Sequence, residues 1–221
     1  MDDPASMNAM NLTNKDGQAI GRKGAESRAR LLEAARLLLS SAPSEKLTAS
    51  AIARTAGLAS QTFYVYFDDI DEILHVLAAV ASKDLGEIIA ELERPWDFSA
   101  IQQHAERVVA AFYRYWDQHR PILNVRNFRA DGGQEAFMQL RNESAYPVVS
   151  RIASRILASH GAGKLPERDA FARAVVIYAA MERMAARYAS GGTDPEMVTS
   201  EELKHAEIDI LALLFSPPAV K

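Results

Sequence analysis

A chain of 221 residues, 48% of them apolar, can bury a core and hold one large domain or a small domain joined to a larger one. It has no cysteine, which excludes disulfide scaffolds, thiolate metal sites and cysteine nucleophiles. No apolar run approaches the roughly 20 residues of a bilayer span, and the opening MDDPASMNAMNLTNKDGQAIG is polar, so the chain reads as cytoplasmic.

The net charge of −4 hides an asymmetry: residues 22–66 carry seven Lys/Arg against three acids, whereas residues 67–221 carry seventeen against twenty-three. Positive potential therefore gathers near one end, a pattern shared by phosphate-binding surfaces and by solvated helix faces.

Residues 1–20 show no sustained period and are expected to form a disordered arm. From Ala25, Leu31, Leu32, Ala35, Leu38 and Leu39 recur at helical spacing, with Arg28, Arg30, Glu33 and Arg36 on the other face, which predicts an amphipathic helix of about 16 residues. Thr48 is placed to cap a helix over 49–56, Gly57 to end it, and a second short helix covers 60–66. Asp69 to Glu72 reads as a capping box that opens one long helix as far as Pro95, and Ser99 to Gln102 as a second box opening a helix to about His119. Pro121 then predicts a break before a short helix to about 129. Beyond Gly132-Gly133 come a helix over 134–160 bent at Pro147, one from Pro166 to about Ser190, and a last one over 200–214. No segment alternates with period two, so the fold is predicted all-α with about nine helices.

The stretch TASAIARTAGLASQTFYVYF, Thr48 to Phe67, has helix-turn-helix spacing. Ala53 is small where two helices cross, Gly57 supplies a positive φ in the turn, and Ile52, Leu58 and Phe63 pin the pair to the first helix. A short helix presented in this way can enter the major groove. The string IARTAGLASQTFYVYF, followed by an acidic cap and an apolar helix, resembles the DNA-binding domain of the tetracycline-repressor (TetR) family over residues 28–75. That resemblance implies an N-terminal three-helix helix-turn-helix domain over 21–69 and a C-terminal six-helix ligand-binding and dimerisation bundle over 70–216.

The resemblance also implies roles for individual residues. Thr48 would offer its hydroxyl to a phosphate. Ser60, Gln61 and Thr62 would open the recognition helix, with Gln61 bidentate to adenine. Tyr64 and Tyr66 would contact phosphates, and Arg22 and Lys23 would reach the backbone or minor groove. Two positions depart from the family pattern: Ala59 stands where Ser is usual, so the cap is expected to fall to Ser60, and Ile70 replaces a common Lys. Affinity per half-site is accordingly expected to be modest.

The remainder is rich in aromatic and Met residues, most of which must be ordinary core. The candidate pocket comprises Phe112, Trp116, Met138, Tyr146 and Tyr178, with Asn142 and Glu182 as polar anchors. Glu182 interrupts an apolar helix and reads either as an anchor or as a partner of Arg183, Arg187 or a second chain. The segment YAAMERMAARYAS, residues 178–190, resembles a helix of the branch that includes the mycobacterial ethionamide-resistance repressor, which implies an acyl or aromatic effector. Val175, Val176, Ala179, Ala180, Met184, Ile208, Leu211, Ala212, Leu214 and Phe215 form apolar faces on the last two helices. In the family these helices pair into a homodimer, implying a palindromic double-stranded DNA operator.

Catalysis has weaker support. His75, His104, His119, His160 and His205 form no metal-ligand spacing, and there is no Gly-x-Ser-x-Gly elbow or glycine-rich phosphate loop. A non-enzymatic regulator without cofactor or metal is expected, repressive until an apolar effector binds. A bundle that only binds other proteins would leave the basic charge, the Gly57 turn and Gln61-Thr62 without a common explanation.

Overall fold

The computed structural model describes residues 18–41, 44–161, 163–188 and 198–216, excluding the side chains of Glu45, Phe98 and Tyr188. The expected arm over 1–20 falls almost wholly outside this set, as do Gly191 and Gly192. Nine α-helices and two short 3-10 turns make up the regular structure of the described residues: α1 Arg22–Ser41, α2 Ala49–Thr55, α3 Ser60–Tyr66, α4 Ile70–Lys83, α5 Gly86–Glu93, α6 Ile101–Asp131, α7 Glu135–His160, α8 Glu167–Tyr188 and α9 Ser200–Phe215. The chain divides into two compact units, residues 1–80 and 81–221, with the boundary inside α4. Among the described residues no helix is long and apolar enough to cross a membrane.

In the first unit α1 packs on α2 and α2 on α3. Leu31, Ala35, Ile52, Ala53, Phe63, Phe67, Ile73 and Leu74 are fully buried, the apolar stripe that the helical period requires. Thr48 is extended and its hydroxyl accepts the Ala51 N–H at 3.1 Å, starting α2. Gly57 has φ +65°, a conformation that favours glycine, and this turn aims α3. The cap of α3 is Ala59, which makes no side-chain cap bond, so the expected transfer of the cap to Ser60 does not occur. Asp69 Oδ1 accepts the Glu72 N–H at 2.9 Å, and Glu72 in turn accepts from Asp68 rather than Asp69.

In the second unit α6 is central, packing against α5, α7, α8 and α9. It runs unbroken through Pro121, where a break was expected. A mid-helix proline costs about 3 kcal/mol, but burial of Tyr115 and Trp116 before it and of Ile122, Leu123 and Val125 after it outweighs that, since each large apolar side chain contributes about 2 kcal/mol. The expected helix from 70 to Pro95 is instead divided at Asp84 and Leu85 into α4 and α5. Glycine at 86 weakens continuation, and the Asp84 carboxylate pairs with His119 Nε2 at 2.8 Å. The expected Ser99 box gives way to Asp97, whose carboxylate accepts the Ser99 N–H at 2.9 Å and caps a 3-10 turn ahead of α6. α9 starts on a capping box formed by Thr199 and Glu202.

Candidate functional site

α3 alternates between anchoring and presentation. Phe63 and Tyr66 point into the unit, whereas Ser60, Gln61, Tyr64 and Val65 are exposed. Tyr64 is 53% exposed and its ring leans edge-on against Phe63 at 5.3 Å, so it is supported from behind with its hydroxyl free for an outside partner. Thr62 is half-buried, while Thr48, Arg22 and Lys23 are exposed. Arg22 lies 3.8 Å from Glu26, a surface contact of small energetic weight.

Tyr66 departs from expectation. It is 8% exposed, and a Cβ added at Gly24 would meet its hydroxyl at 3.3 Å. The bare backbone of Gly24 therefore leaves room for the phenol, and most of the Tyr66 side chain packs within the unit rather than standing out from it.

Two arginines that sequence reading assigned to the solvent face of α1 brace the motif. Arg30 donates to the carbonyl oxygens of Ala56 and of Gly57, the latter at 3.2 Å, tying the turn to α1. Arg28 lies over the Phe67 ring, 5.2 Å from its centroid, with its pKa lowered by partial burial and supported by Glu72. A guanidinium one to four residues ahead of the first buried leucines, Leu31 and Leu32, of a helix that must pack on a short turn is the signal that could have found them.

The residues proposed for the pocket separate into two groups. Phe112, Trp116 and Tyr178 are buried together in the second unit, the Phe112 and Tyr178 rings meeting edge-on at 5.7 Å. Met138, Asn142 and Tyr146 lie on the exposed face of α7, Tyr146 at 65% exposure. These three are spaced by four residues and share a helix face, but it is the outer one, so they do not join the buried group.

Glu182 pairs with neither Arg183 nor Arg187 but with Arg126 on α6, at 2.8 Å. Arg126 is 1% exposed and also donates to Ser82 on α4 at 3.2 Å, Ser144 on α7 at 2.8 Å and Asn127 at 3.0 Å. One guanidinium thus gathers four helices. Beside it burial pushes the Tyr115 hydroxyl up to about 12, with Arg126 opposing. Tyr178 is raised further, by burial and then by the Glu182 charge. Both phenols are therefore neutral at physiological pH.

The expected dimer faces are partly internal, because Ile208, Leu211, Ala212 and Phe215 are buried within their own unit. Val175, Val176, Ala179 and Ala180 on α8 are exposed. On α9 the large apolar residues left in solvent are Ile210 and Leu213.

Residues 31–77 match the family model described as bacterial regulatory proteins, tetR family. Residues 85–215 match the one described as tetracyclin repressor-like, C-terminal domain. No curated protein matches the sequence. Among solved structures, a tetR-family transcriptional regulator from Streptomyces coelicolor is similar at TM-score 0.65 and 19% identity, covering 88% of this chain and 82% of its own. The fatty acid degradation regulator FadR from Bacillus halodurans gives 0.62 at 13% identity, covering 92% of this chain and 100% of its own. FadR from Bacillus subtilis, in complex with stearoyl-CoA, gives 0.59 at 14% identity, covering 85% of this chain and 97% of its own. At these identities the likeness extends to the fold alone.

Proposed function

Because the chain belongs to the tetR family of bacterial regulatory proteins, we propose that this DNA-binding transcriptional regulator is a cytoplasmic repressor that leaves a palindromic operator when an apolar small molecule enters its C-terminal unit. The observation that carries this reading is α3: a short helix locked from behind by Phe63 and Tyr66 and exposing Ser60, Gln61 and Tyr64. Gln61 is assigned to a base edge, since its amide can donate and accept in one plane against adenine. Ser60, Thr62, Tyr64, Thr48, Arg22 and Lys23 are assigned to the backbone and set register. The reading assigns no catalytic step and no cofactor.

Retention of pooled genomic DNA fragments across a salt series tests it. Wild-type protein is expected to retain palindromic fragments with a steep salt dependence. Gln61→Ala should lower affinity about tenfold for the preferred fragments and flatten discrimination, while Tyr64→Ala should weaken all fragments alike. Failure of wild-type protein to retain any fragment at low salt overturns the reading.

The exposed apolar residues Val175, Val176, Ala179 and Ala180 on α8 and Ile210 and Leu213 on α9, two helices that pack together, are assigned to a two-fold dimer, apolar side chains being costly to leave in water. Val176→Asp with Leu213→Asp is expected to yield a folded monomer in sedimentation velocity, with operator affinity falling as the two heads lose their linkage. An unchanged dimer removes the assignment. The effector is placed near the buried Phe112, Trp116 and Tyr178, where binding would bias the DNA-competent arrangement by a coupling of about 1–3 kcal/mol.

A further inference from the structure

Within the second unit, the buried Arg126 guanidinium and the Glu182 carboxylate pair at 2.8 Å and offset each other's charge, with Asp84 and Arg141 acting on the neighbouring phenols from farther off. Glu182 neutralises the guanidinium, Ser82, Ser144 and Asn127 accept further hydrogen bonds from it, and the buried Tyr115, Phe112 and Tyr178 rings lie against one another beside it, Phe112 at 6.5 Å from Tyr115 and 5.7 Å from Tyr178. An ionised ligand head reaching this place would either add an unbalanced charge to a low-dielectric interior or expel Glu182 and leave that carboxylate unpaired. The acceptors of this centre are turned toward Arg126, and none of them meets the Tyr115 hydroxyl. Among the described residues the buried Tyr115 hydroxyl has no acceptor in hydrogen-bonding geometry, and its neighbour Arg126 can only donate to it, so the phenolic proton is unmet. A buried donor left unmet is costly, and a carbonyl oxygen meets it without bringing charge.

Resting on the effector reading above, we propose that the effector is an apolar acyl derivative with an uncharged carbonyl head, an ester or amide, whose oxygen accepts a hydrogen bond from Tyr115 beside the Arg126–Glu182 pair. The free acid of the same chain is discriminated against because its charge has no partner here. Specificity of this kind comes from matching one polar group rather than from the length of the apolar tail.

Calorimetric titration of the full-length protein with methyl decanoate, N-methyldecanamide and sodium decanoate at neutral pH tests the proposal. The ester and amide are expected to bind at least about tenfold more tightly than decanoate, the worth of one satisfied buried hydrogen bond. Tyr115→Phe should erase about tenfold of amide affinity and leave decanoate unchanged. Glu182→Gln, which leaves the Arg126 charge unbalanced, should reverse the preference toward decanoate. The wild-type series needs no variant, so it stands even if a substitution impairs folding. Decanoate binding as tightly as the ester overturns the proposal. So does an amide affinity indifferent to Tyr115→Phe, which would mean that solvent serves the hydroxyl. If none of the three probes binds, the acyl-effector reading itself fails and this inference falls with it, a result distinct from binding with the wrong preference.

Discussion

Glu182→Ala is expected to lower the unfolding free energy of the second unit by about 3 kcal/mol, read as a loss in denaturant midpoint at constant slope. Both tryptophans, Trp96 and Trp116, lie in that unit, so their fluorescence follows its unfolding. The cost arises on the arginine side. Arg126 is 1% exposed and a guanidinium cannot shed its proton to escape burial. Ser82, Ser144 and Asn127 would still accept its hydrogen bonds, but they are neutral and leave its charge unbalanced. Replacing both members by apolar residues, Arg126→Met with Glu182→Leu, is expected to recover most of the loss, because the desolvation cost of both ions disappears together. A Glu182→Ala loss below about 1 kcal/mol, or a double variant no better than the single, would mean that the pair is not what balances this centre.

How far the sequence exposed this molecule depends on the range over which each constraint acts. The helix-turn-helix was legible because its determinants are local: a threonine cap, a small residue at a crossing and a glycine at φ +65° lie within ten residues. The burial of Tyr66 was not legible, because it depends on a missing side chain at Gly24, far back on α1. The break expected at Pro121 followed the local rule correctly, but apolar packing on both sides of the proline overrides that rule. Met138, Asn142 and Tyr146 suit a pocket by residue type, but the phase of α7 turns them outward. Phe137, Leu140, Ser144, Val148 and Ile152 are its buried face, and that stripe was available in the sequence. Arg126 offered no such clue, since its partners lie 18, 44 and 56 residues away. A polar centre assembled from four helices leaves no periodic trace in any one of them.

A second acid should make stability depend on pH in a direction opposite to that of most carboxylates. Glu207 on α9 is 5% exposed, and among the described residues the one polar side chain acting on its carboxylate at hydrogen-bond range is the Tyr113 hydroxyl. Burial pushes its pKa from 4.5 up to about 7, with the nearby Tyr113 hydroxyl and Lys204 ammonium pulling it partly back; Lys204 itself sits 4.9 Å from the centroid of the Tyr113 ring. Between the unfolded and folded values the native state holds the proton more tightly, so its stabilising contribution is fully present below about 4.5 and is lost as pH rises through about 7. Discounted for residual solvent contact, the loss is on the order of 2 kcal/mol. His104 works the other way, because burial and then Arg107 hold its pKa below the ordinary histidine value, and so the wild-type profile alone mixes two signs. The difference between wild type and Glu207→Gln isolates the carboxylate: the variant should gain on wild type from about pH 5 to about pH 8, by fluorescence-monitored unfolding at each pH. Parallel profiles would mean that Glu207 ionises without penalty and that the α6–α9 packing accommodates its charge.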